Sequence, residues 1–428
     1  MPSSKSKTTR TKPPQGRPVS TSVISQPVVE DTSHHTVLSS FSPNGRQFAF
    51  LSLAVDKHRL RVYDTVSGKS VAEHTLDSAG VSMLTWCNVN LSEAQSTSSD
   101  TEMSPNKKKR RKRTSLAAEE SAQSNTVEVV GLGLFNGTIL FFSPPLGRVI
   151  RTLSHPTSTA KILSVVVAKS SSGISTIWTS DADGIVRVWD VRKNKVLGSW
   201  KTDDRIPYTC LALRPSTEEG RVDMLAAHHG IRLLSALDQT DFDPEKPTQL
   251  ASFTGHASSI RSLQWDASQS PSTRFFSLAD ADRFLYIWEV PEGPSKEGRP
   301  VASIPLDSNA GSFSLSISHG SPDAHHKQTL LTISASGKIS LYPIPLELSL
   351  PASSSRTRHK IPTLLPRSNL SVTSKGTSAS RVVDAAFSKE QNGSIQIARI
   401  VGGVQPVFDV VVSEFFTWSF ATRLIVIS

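Results

Sequence analysis

Cysteine is nearly absent from this sequence: Cys87 and Cys210 are the only two in 428 residues. Two thiols are too few for a disulfide framework, and no cluster of Cys and His has zinc-ligand spacing, so no metal is expected and a reducing, intracellular compartment is. Long apolar runs are missing too. Nothing approaches the roughly 18 residues that a membrane-crossing helix needs, and the N-terminus has no short apolar core of a secretory signal. The expectation is a soluble protein without a membrane partner. No Ser or Cys stands in an elbow-like context, so acyl transfer has no support. Nothing suggests a cofactor or a small-molecule substrate, and the expectation is a protein that is not an enzyme.

What is present is positive charge, in particular places. The formal net charge is +10. Residues 1–35 carry Lys5, Lys7, Arg10, Lys12 and Arg17 against Glu30 and Asp31. Residues 88–125 carry the run Lys107, Lys108, Lys109, Arg110, Arg111, Lys112 and Arg113 against five acids, and residues 343–381 carry six bases against Glu347. These three segments account for the whole excess, so the rest of the chain is neutral. All three are rich in Ser, Pro and Thr without apolar periodicity, which reads as a disordered tail at 1–35, an insertion loop at 88–125 and a linker at 343–380. Attraction to nucleic acid belongs there first.

The remainder repeats one phrase. Asp183-Gly184-Ile185-Val186-Arg187-Val188-Trp189-Asp190 is an acidic turn running into an alternating strand. Asp282 to Glu289 says it again, with the acid six residues before Trp288, and Leu60–Asp64, Gly137–Phe142 and Gly337–Tyr342 are further versions. Strand, turn and strand recur from Val37 onward. With the head, the loop, the linker and a tail at 412–428 set aside, about 300 residues remain, or about 43 for each of seven units, the period of a propeller blade. The predicted fold is all-β: a seven-bladed propeller over 36–411, each blade a four-stranded sheet. The basic insertion falls between Val81–Trp86 and Val127–Gly133, where it can only join neighbouring strands of one sheet.

Gly255-His256 opening a unit, Asp282 in its turn, and Trp288-Glu289 or Trp189-Asp190 closing a strand resemble the WD-repeat family. The resemblance implies a hydrogen-bond relay of structural residues: His256, Asp282 and Trp288, with Ser277 as the strand hydroxyl, and Asp183 with Trp189 in the third unit. A narrower resemblance adds Phe41-Ser42-Pro43-Asn44-Gly45, the basic insertion in the second blade, Gly131-Leu132-Gly133, and Phe253-Thr254-Gly255-His256-Ala257. These are similar to propeller subunits of the UtpA group of the small-subunit processome. That resemblance implies a nucleolar scaffold with other processome subunits and pre-ribosomal RNA as partners. It also implies a helical C-terminal domain. After Asp409 this chain instead reads Val410 to Ser428 with no helical repeat, and the expectation is a truncated or aberrant tail at 412–428.

Other residues have plainer readings beside the functional ones. Lys107 to Arg113 form either a nuclear address or a phosphate-binding arm, against a merely solvated loop. Gly131, Gly133 and Gly137 superficially match a phosphate loop, but no helix follows, and close strand packing is the better reading. The pairs His34-His35, His228-His229 and His325-His326 lack partners at ligand spacing. Asp181 and Asp183 beside Gly184 read as turn formers, and Trp189, Trp265 and Trp288 as core. A substrate-receptor or chromatin-complex propeller is the rival function, since the fold alone does not choose.

Overall fold

The chain divides into two compact units, Met1–His35 and Thr36–Ser428. The computed structural model describes residues 39–53, 58–76, 80–90, 126–169, 175–202, 206–215, 221–237, 247–266, 271–292, 297–306, 310–318, 327–334, 338–345, 348, 361–371, 382–387, 394–401 and 405–412, all of them in the second unit. The tail at 1–35, the run Lys107 to Arg113 and residues 413–428 lie outside the described residues.

Every regular element among the described residues is a strand, and the strands form seven sheets. The first holds β1 (Ser39–Phe41), β2 (Gln47–Leu53), β3 (His58–Asp64) and β4 (Ser70–Leu76). The second holds β5 (Val81–Asn90), β6 (Thr126–Leu134), β7 (Ile139–Ser143) and β8 (Arg148–Leu153). The third is β9 (Ile162–Lys169), β10 (Ser175–Asp181), β11 (Ile185–Asp190) and β12 (Lys195–Lys201). The fourth is β13 (Cys210–Leu213), β14 (Arg221–Ala227), β15 (Ile231–Leu237) and β16 (Thr248–Phe253). The fifth begins with β17 (Ile260–Trp265), β18 (Arg274–Ala279) and β19 (Phe284–Glu289). Then β20 (Glu297–Gly298) turns back to β16, and β21 (Pro300–Pro305) completes the fifth sheet. The sixth is β22 (Ala310–Ser318), β23 (Lys327–Ser334), β24 (Lys338–Ile344) and β25 (Ser368–Ser371). Among the described residues the seventh has three strands, β26 (Val382–Phe387), β27 (Ser394–Val401) and β28 (Gln405–Val412).

Apart from β20, the strands within each sheet are antiparallel and in chain order, and the first strands of successive sheets pack side by side. β1 lies against β5, β5 against β9, β9 against β13, β13 against β17, β22 against β26 and β26 against β1. The fifth and sixth sheets join through a shared core of Phe276, Leu285, Ile287, Leu330 and Tyr342. This is a seven-bladed β-propeller.

The core explains why so many strands read as unbroken apolar runs. Side chains alternate across a strand, and a sheet standing between two others must bury both faces. Phe275 therefore packs with Trp265, Phe253 and Trp288 toward the fourth sheet, while its neighbour Phe276 packs toward the sixth. Ile177 and Trp178 divide in the same way between the second and fourth sheets. All six residues of β18 are buried, whereas the outer strand β8 buries only Leu153.

Three boundaries differ from the sequence expectation. Residues 343–380 are not all linker: Ser368–Ser371 form β25, and Ser303 of β21 bonds to Pro362 and Leu364, with a parallel bridge to Thr363. Backbone groups make these contacts, so they leave no side-chain periodicity to read. Strand β28 carries the seventh sheet to Val412, one residue past the expected end at 411. The fourth sheet gains a parallel fifth strand through the pairs Ser252 with Glu297 and Phe253 with Gly298, so that a connection of one blade covers the edge of the one before it.

The approach of the second sheet to the third depends on Gly133. A Cβ there would stand 2.7 Å from Met83 Cγ and 2.8 Å from Ile162 Cγ2, both in the joint between the sheets. Gly133→Ala should therefore lower stability by about 1–3 kcal/mol through overpacking. Urea denaturation checks this, and an unchanged midpoint would mean that the joint yields freely.

Candidate functional site

In the fifth sheet the chain gathers the residues of the implied relay. Trp288 Nε1–H donates to Ser277 Oγ at 2.6 Å, Ser277 Oγ lies 2.6 Å from His256 Nε2, and His256 Nδ1 lies 2.6 Å from Asp282 Oδ2. The side chain of His256 is only 1% exposed and that of Asp282 9%. Burial lowers the pKa of His256, the bond and charge of Asp282 raise it, and burial prevails, so the ring sits below its ordinary 6.5. A neutral ring protonated on Nδ1 donates to Asp282 and accepts the Ser277 O–H on Nε2, which satisfies every member. Burial works to raise Asp282, but bonds from His256, Ser258 Oγ and the Ala257 N–H outweigh it and hold the carboxyl below 3.8. The chain of bonds ties the connection before β17 to strands β18 and β19. It is a brace, with every polar atom turned inward.

The third sheet departs from the expectation. Trp189 Nε1–H does donate to a strand hydroxyl, Thr179 Oγ1, at 3.0 Å. Asp183, however, is exposed and takes no part; its backbone N–H donates to Asp181. The reason is spacing. Ser277 and Trp288 are 11 residues apart, Thr179 and Trp189 only 10, so the shorter turn does not carry its acid to the same place. The nearby His155 bonds within its own turn to Thr157. Instead, buried Asp181 pairs with buried Arg187, and its Oδ1 accepts the N–H groups of Asp183 and Ile185. Sequence reasoning takes Asp181 as a turn former and misses the pair. The signal is Arg187 itself, a cation between apolar Val186 and Val188 at an inward position of its strand.

Strands β5 and β6, which flank the basic insertion, are direct neighbours paired from Val81 with Leu134 out to Asn90 with Thr126. The root of the insertion is thus anchored to the ring, while Lys107 to Arg113 themselves lie outside the described residues. Gly131 and Gly133 are strand residues of β6, and Gly137 occupies the following turn at φ +78°, so no backbone cradle opens onto a ligand. His228 and His229 sit edge to face at 4.2 Å in the turn between β14 and β15; the other two His pairs lie outside the described residues. Trp189, Trp265 and Trp288 are buried. The exposed aromatics among the described residues are Phe135 and Phe284, and Lys161 Nζ lies 4.6 Å from the Phe135 ring centre. Burial pushes the thiols of Cys87 and Cys210 up to about 12, leaving neither as a nucleophile at neutral pH. Among the described residues no three His, Cys, Asp or Glu side chains converge as metal ligands. A cavity of about 220 Å³ between the third and fourth sheets is lined by Trp200, Tyr208, Leu234 and polar groups such as Gln249, without a carboxylate, thiol or imidazole.

The brace and the buried pair each make a measurable contribution. The fold keeps His256 neutral, so its contribution is complete above pH 6.5 and is lost as pH falls through the depressed folded value. The stability advantage of the wild type over His256→Gln, about 1–3 kcal/mol at pH 7, should therefore shrink toward pH 5 in urea titrations; a constant difference would contradict a neutral ring. Asp181→Asn should cost about 3–5 kcal/mol by leaving Arg187 buried without its counter-charge. The double variant Asp181→Leu with Arg187→Met should cost less than that single change.

No protein-family model matches the sequence, and no curated protein matches it. Among solved structures the chain is similar to one from the "Crystal Structure of Mitotic Checkpoint Complex", with a TM-score of 0.52, 13% identity, and coverage of 87% of this chain and 86% of that one. At that identity the likeness is one of fold.

Proposed function

We propose that this chain is a WD-repeat protein that serves as a non-enzymatic scaffold of the small-subunit processome in the nucleolus. There it acts in pre-ribosomal RNA transcription and processing for small ribosomal subunit biogenesis. The observation that carries the reading is the placement of charge. Seven consecutive cations, Lys107 to Arg113, occur in a connection whose two ends are clamped into the second sheet, Asn90 paired with Thr126. A polybasic segment tethered to a rigid ring is suited to holding a polyanion beside docked proteins.

Two further features support it. The inward closure of the relay in the fifth sheet leaves no reacting group facing solvent there, as suits a docking frame. The order of features resembles WD repeat-containing protein 43 of animals and U three protein five of fungi, both of the UtpA group. Other UtpA and processome subunits, with pre-ribosomal RNA, are the partners this implies.

The test is a crosslinking pull-down of the full chain at two salt concentrations. Pre-ribosomal RNA and processome subunits should be recovered, with RNA yield falling at the higher salt. Replacing Lys107 to Arg113 with Ser should flatten the salt dependence of RNA binding by roughly 0.7 in log–log slope for each phosphate that is no longer neutralised. Recovery of cullin-type or histone partners without pre-ribosomal RNA would favour the rival reading, a substrate receptor or chromatin scaffold.

A further inference from the structure

We propose that one end of the ring, where the connections of the first three sheets meet, is itself an RNA-binding face that carries single-stranded RNA across Arg46, Lys69, Arg148, Lys193 and Lys195. This rests on the RNA-scaffold reading and assigns it a surface among the described residues, apart from the basic run.

The turns involved are joined to one another. Thr65, after β3, donates its N–H to the Arg46 carbonyl at 3.0 Å and its hydroxyl to the Gly45 carbonyl at 3.0 Å, binding the β3–β4 turn to the β1–β2 turn. Asn44 Nδ2 donates to Glu128 Oε2 at 2.8 Å, which carries the contact across to the second sheet at the root of the basic insertion. The β7–β8 turn opens at the same end, where Ser143 pairs with Arg148. Val191, in the β11–β12 turn, packs in one core with Val89 and Val129 beside that root.

The charges of this end are sorted by sign. Its three carboxylates among the described residues are occupied and none is exposed. Asp64 accepts the Ser67 N–H and O–H, each at 2.7 Å; those bonds hold it below its ordinary pKa. Asp190 is buried and accepts the N–H groups of Arg192 and Lys193 at 2.9 and 3.2 Å. Glu128 is held by Asn44. Arg46, Lys69, Arg148, Lys193 and Lys195 are all exposed. The acids build the turns and these five bases face the solvent, while Arg192 is half-buried with its Nε 3.9 Å from Asp190 Oδ1.

This arrangement fits an extended polyanion. The five cations are spread over turns of three sheets, so they do not converge on one phosphate, and the connection that carries Lys107 to Arg113 leaves β5 at the same end. Exposed Val66 and Leu146, 72% and 60% accessible at two of these turns, offer apolar surface to unstacked bases without hydrogen-bond readout. Binding should accordingly be strongly salt dependent and indifferent to sequence.

The experiment measures fluorescence anisotropy of a labelled oligouridylate with the purified full chain over a salt series. Five neutralised phosphates correspond to a fall in affinity on the order of a hundredfold between about 50 and 200 mM salt. The fivefold Ser variant should lose that part of the dependence. Ser at Arg283 and Lys201, exposed cations of the opposite end, should leave it unchanged. Thermal melting confirms folding of each variant, and the smaller pair Lys69→Ser with Lys193→Ser, expected to lose about two-fifths of the effect, replaces the fivefold variant if that one melts early. If the fivefold variant binds like wild type while the Lys107 to Arg113 variant loses binding, the face is overturned and the scaffold reading stands. If polyglutamate displaces the RNA at equal charge concentration, the face takes acidic protein and the proposal falls. Absence of any binding by the wild type, with pre-ribosomal RNA also missing from the pull-down, removes both.

Discussion

Each sheet of this protein is one layer thick and apolar on both faces, and the whole fold follows from that. Burying one face against a single neighbour would leave the other in water, so stability requires a neighbour on each side, and a closed ring meets that need without an end. The alternate assignment of Phe275 and Phe276 to two different cores is this constraint expressed in adjacent residues. The same holds for Ile177 and Trp178. Every joint is shared by two sheets, so a defect such as crowding at Gly133 is felt on both sides of it.

Two closed circuits hold polar groups inside the ring. In the fifth sheet the circuit runs from Trp288 through Ser277 and His256 to Asp282. In the third it is the Asp181 and Arg187 pair together with Trp189 bonded to Thr179. These are different solutions to one problem, the cost of an unpaired polar atom away from water. Both fasten the connection between the second and third strands of a blade. Both turn their polar side chains toward one another and away from the surface.

On that surface, carboxylates and cations have separate work. Asp64, Asp190 and Glu128 are drawn into the turns, where backbone and side-chain donors hold them. Arg46, Lys69, Arg148, Lys193 and Lys195 of the same turns project outward, while Arg192 stays half-buried beside Asp190. A chain whose repeated part is neutral by count can thus show a positive end, because the two signs are not equally accessible. The basic insertion extends the same sign beyond the ring.

Much of this is legible in the residues alone. Alternation, turn chemistry and the repeated acid-to-tryptophan phrase place most strands, and the family resemblance carried by the Gly255-His256 opening implies the set His256, Asp282 and Trp288. What is not legible was decided by a single residue of spacing or by backbone alone. Asp183 and Asp282 stand equally far before their tryptophans, yet one is exposed and the other bonded, because the turn between Thr179 and Trp189 is one residue shorter. Strand β25 and the pairing of β20 with β16 arise from segments without periodicity, since pairing at an edge asks only for N–H and C=O groups. The sequence by itself determined the sheets, their number and the location of the charge excess, for these depend on local alternation and composition. Only the tertiary structure decided which acids are buried and which cations share a face, for those depend on contacts between residues far apart in the chain.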